Sequence, residues 1–77
     1  MSSDKLVMMA NQIGAFFASQ PHIDVPAAIA DHLLKFWEPR MRQAILAHLD
    51  AGSAGLDPVV RLAVERLRRP ASAAPRS

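Results

Sequence analysis

Residues 3–19 read Ser-Asp-Lys-Leu-Val-Met-Met-Ala-Asn-Gln-Ile-Gly-Ala-Phe-Phe-Ala-Ser. Leu6, Met9, Ala10, Ile13, Phe16 and Phe17 recur at three- and four-residue spacing, the repeat of one face of an α-helix. Ser3 is a fitting N-cap, and Asp4 suits the positive end of the helix dipole. Pro21 requires the helix to stop by about Ser19. The opposite face carries Val7, Met8, Asn11, Gly14, Ala15 and Ala18, and no charged residue occurs from Leu6 to Ile23. A helix on the surface of a lone domain normally has a charged back, whereas one that lacks it is covered on both sides. A membrane span does not fit, because about 20 apolar residues are needed and Asn11, Gln12, Ser19 and Gln20 interrupt the run. The uncharged back, with Gly14, Ala15 and Ala18 permitting close backbone approach, is therefore expected to be covered by a partner protein.

Three more helices follow from similar signals. Asp24 as N-cap and Pro26 in the first turn open a second helix, with Ile29, Leu33 and Phe36 inside, Ala30 and Trp37 beside them, and an Asp31–Lys35 pair outside. Pro39 ends it or kinks it, and Glu38-Pro39 also starts a third helix running to about Asp50. Met41, Ile45, Leu46 and Leu49 are its apolar positions. Arg40 and Arg42 lie in its first turn, where the dipole disfavours cations. Either their stems pack while their heads reach water, or they meet a partner. Residues 50–56, Asp-Ala-Gly-Ser-Ala-Gly-Leu, read as a flexible loop. Asp57-Pro58 opens a fourth helix to about Arg69, with Val60, Ala63, Val64 and Leu67 inside and Arg61, Glu65, Arg68 and Arg69 outside. The expected fold is all-α: a small bundle of three to four short helices over residues 1–69, with a disordered tail over 70–77.

The 77-residue chain has room for one small domain. Scaffolds of this size need a staple. With no cysteine, disulfides and thiolate metal or cluster sites are excluded, which leaves another chain. Residues 1–38 carry a net charge of −2 and residues 39–77 a net of +4, with seven arginines in the second half. Arginine suits bidentate pairing with carboxylates at protein interfaces. The absence of cysteine fits a reducing cytoplasm, and the start, Met-Ser-Ser-Asp, has no basic segment of a secretory signal.

No catalytic, cofactor-binding or metal-binding residue can be assigned. His22, His32 and His48 are 10 and 16 residues apart, which matches neither a helical zinc pair nor a zinc finger. His32 borders the apolar face of the second helix and is expected to be a packed residue. Gly52 and Gly55 lack the Lys-Ser or Lys-Thr of a phosphate loop. Phe36-Trp37-Glu38-Pro39-Arg40-Met41-Arg42 is the richest segment, since Trp and Arg are enriched in interface hot spots. Phe36 is expected to close the core, and Trp37 either joins it or meets a partner. The expected partner-binding residues are Met8, Asn11, Gln12 and Ala15 on the first helix and Trp37, Pro39, Arg40 and Arg42 at the elbow.

Taken together, Met9-Ala10-Asn11-Gln12-Ile13, Phe16-Phe17, His32-Leu33 and Phe36-Trp37-Glu38-Pro39-Arg40-Met41-Arg42 resemble the delta subunit of cytoplasmic, NAD-dependent, molybdenum-containing formate dehydrogenases. The likeness departs at Met8, near which a basic residue is expected. It implies a non-catalytic accessory subunit of a complex that oxidises formate to CO2. It also implies that molybdenum cofactor, iron–sulfur clusters and FMN belong to the larger subunits. The implied partner is chiefly the catalytic molybdenum subunit, with no nucleic acid and no membrane. The implied role is assembly, cofactor loading or stability of the complex. Two other readings stay open. One is a small helix-turn-helix regulator built on the Glu38-Pro39 turn, although Met41, Ile45, Leu46 and Leu49 are poorly suited to base edges. The other is a chaperone that visits the catalytic subunit and leaves.

Overall fold

A computed structural model describes residues 2–68. They form four helices: α1 (Ser3–Ala18), α2 (Val25–Phe36), α3 (Pro39–Asp50) and α4 (Pro58–Arg68). There is no strand among the described residues. The expected tail over 70–77, and Arg69, lie outside them.

The starts and stops have local causes. Ser2, not Ser3, caps α1, its hydroxyl accepting the Lys5 amide at 3.2 Å. Two serines in succession offered the same chemistry, and the helix starts one residue earlier than expected. Asp24 caps α2 by accepting the Ala27 amide at 3.2 Å. Pro39 and Pro58 occupy the first positions of α3 and α4, where the missing N–H is no loss. At the end of α3 the Ser53 amide returns to His48 O and the Gly52 amide to Leu49 O. Gly52 sits at φ +125°. This paired closure by a left-handed residue is the Schellman pattern, and glycine takes that backbone without a Cβ clash.

One core joins all four helices: Leu6 and Ala10 from α1, Ile29 and Leu33 from α2, Ile45 and Leu49 from α3, and Val60, Ala63, Val64 and Leu67 from α4. The four α4 residues are those its periodicity marks. α2 and α4 make the most extensive pairing, whereas α2 and α3 scarcely touch although only two residues join them. Trp37, in one of those two positions, is buried instead. Among the described residues three exposed ion pairs decorate the surface: Asp31–Lys35 at 3.1 Å as expected, Asp24–Arg66 at 3.4 Å, and Asp50–Arg68. Exposed pairs of this kind add little to stability.

Expectations about faces are overturned on both α1 and α2. Val7 and Gly14, placed on the outer back of α1, are buried in this chain's own core. α4 approaches Gly14 so closely that a Cβ there would lie 2.5 Å from Val60 Cγ2. The small residue admits the chain's own helix. Phe36, expected inside, is 71% exposed, and Trp37 takes its place at 6%. Trp37 continues the row of Ile29 and Leu33 at four-residue spacing, its amide still bonded to Leu33 O at 3.0 Å, and its extended conformation, φ −89° and ψ 141°, turns the chain out of the helix only after it.

Candidate docking surface

The exposed side of α1 is laid out by its own periodicity. Met8, Gln12, Ala15 and Ser19 are spaced four, three and four residues apart and all are exposed. They form one stripe without a charge. Phe16, expected to face inward, lies beside the stripe at 61% exposure. α1 has more apolar positions than a bundle this small can cover, and the surplus faces out.

Phe16 begins a row of rings that crosses from α1 to α2. Its centroid is 5.2 Å from that of Phe17, edge to face. Phe17 is 5.9 Å from His32, again edge to face, and His32 is 4.7 Å from Phe36. Edge-to-face and tilted contacts suit the quadrupoles of aromatic rings. His32 is half-buried and packed between phenylalanines, as its position on α2 suggests. Phe16, Phe17 and His32 of this row, with Met9, Gln12 and Ile13, line a groove of about 370 Å³. No formally charged side chain lines it. Groove and stripe are continuous through Gln12, which belongs to both, with Phe16 beside it.

The residues expected to bind a partner divide into two sets. Met8, Gln12 and Ala15 lie on the exposed stripe, and Pro39 and Arg40 are exposed at the α2–α3 elbow. The other three have intramolecular roles. The Asn11 amide donates to Gly55 O at 2.9 Å, while its Oδ1 accepts the Asp57 amide at 3.0 Å. These bonds, with His48 Nε2 against Ala54 O at 2.6 Å, tie down the loop expected to be flexible. Trp37 is in the core. Arg42 donates to Trp37 O and, at 3.4 Å, to Leu34 O. It thus serves the carbonyl end of α2, where a cation is favoured by the dipole. Its place in the first turn of α3 is explained by the helix before it.

Two exposed aromatic positions, Phe16 and Phe36, escaped the sequence reading as surface residues. One signal was available for the last. Of two adjacent aromatics at a helix end followed by proline, only one can point to the core.

The groove offers apolar contact and no evident chemistry. Among the described residues no three His, Asp or Glu side chains come together as a metal site, and no helix is long and apolar enough to cross a membrane. No match is found among the curated proteins or among the solved structures. One family does match: the NADH-dependent formate dehydrogenase delta subunit, FdsD, whose model covers residues 5–64. That span holds the uncharged stripe, the ring row, the elbow and most of α4, so the chain belongs to the formate dehydrogenase delta subunit family.

Proposed function

We propose that this chain is a non-catalytic accessory subunit that docks on a larger subunit of its formate dehydrogenase, chiefly the catalytic one. The observation that carries this reading is the uncharged, exposed stripe of α1, Met8–Gln12–Ala15–Ser19, continuous with an aromatic groove. A large apolar surface left open on a small domain marks an interaction site. Membership of a delta-subunit family supplies the other subunits as candidates to cover it.

The proposed docking set is Met8, Gln12 and Ala15 with Pro39 and Arg40 at its edge. Asn11, Trp37 and Arg42 support it by holding the fold. The redox groups of such a complex, namely molybdenum cofactor, iron–sulfur clusters and FMN, are assigned to the other subunits. This chain has no thiol to ligate a cluster. The proposed setting is the cytoplasm. Mechanistically, a subunit that binds only the folded, loaded form of its partner shifts the partner's equilibrium toward that form. Its contribution would therefore be to assembly, loading or stability and not to hydride or proton transfer.

The test is affinity purification of the tagged chain from its native cells, with mass spectrometry of what accompanies it. Recovery of the large formate dehydrogenase subunits in fixed proportion is the expected result. Sub-stoichiometric recovery confined to cells still synthesising the complex would indicate a transient chaperone. Recovery of the chain alone would refute docking.

A further inference from the structure

We draw no further inference here: the strongest candidate, the uncharged groove between α1 and α2 walled by Phe16, Phe17 and His32, is an unpartnered apolar face, and nothing in the structure shows what covers it.

Discussion

At Gly14 a single hydrogen decides how close two helices come. An added Cβ would sit 2.5 Å from Val60 Cγ2 and 3.5 Å from Ile29 Cδ1. Val60 and Ile29 are both fully buried, so neither methyl has free space to retreat into. Alanine gains up to about 1 kcal/mol over glycine in a helix interior, but forcing a methylene into a packed core costs about 1–3 kcal/mol. Gly14→Ala should therefore destabilise the fold by about 1 kcal/mol or more, read from urea unfolding. The loss should shrink when Val60→Ala is present, and a net gain in stability would mean that α1 and α4 are not in contact. Gly14 also shows where sequence reading stops. A small residue on a helix announces that something approaches, but not what. The approaching side chain is 46 positions away in the chain, and no local pattern names it. The same limit separates Phe36 from Trp37. Both suit a core, at three and four residues from Leu33, and helical spacing alone does not choose between them.

Among the elements, α1 does more than bury a face. Through Asn11 it holds the connection between α3 and α4, with one amide group accepting from Asp57 and donating to Gly55. Losing two such bonds costs about 1–2 kcal/mol. In Asn11→Ala, amide exchange at Asp57 should accelerate well beyond that of the α3 interior, observed residue by residue by NMR. Unchanged protection at Asp57 would show that the loop stands without α1. The helices themselves were largely legible, because caps and prolines are local signals: Asp24 with Pro26, Glu38 with Pro39, and Asp57 with Pro58 mark the starts of α2, α3 and α4. The inward residues of α4 followed from periodicity. What periodicity misplaced was α1. There apolar residues occur all round, and the inward direction is fixed only by where α4 lies. The candidate surface was legible in part for the same reason. Its lack of charge could be read, whereas its ring row needs two helices set side by side.

At the scale of the whole molecule, one small core carries the fold. A single core in fewer than about 70–80 residues seldom supplies more than about 3–5 kcal/mol. Truncating a buried tryptophan costs about 3–5 kcal/mol. Trp37→Ala should therefore leave the isolated chain substantially unfolded by circular dichroism at 25 °C, whereas Arg40→Glu, on the exposed elbow, should leave it folded. A fully helical Trp37→Ala chain with an unchanged melting midpoint would show that the elbow is not part of the core.

Trp37 has an optical consequence as well. It is the one tryptophan in a chain with no tyrosine, so ultraviolet-excited emission near 340 nm and below reports a single indole. Buried at the junction of α2 and α3, that indole sits away from collisional quenchers and in an apolar setting. The rings that wall the groove are phenylalanines and a histidine, which contribute almost no light of their own at those wavelengths. The molecule thus carries a fluorescent gauge of its own folding, in one indole buried at the junction of two helices.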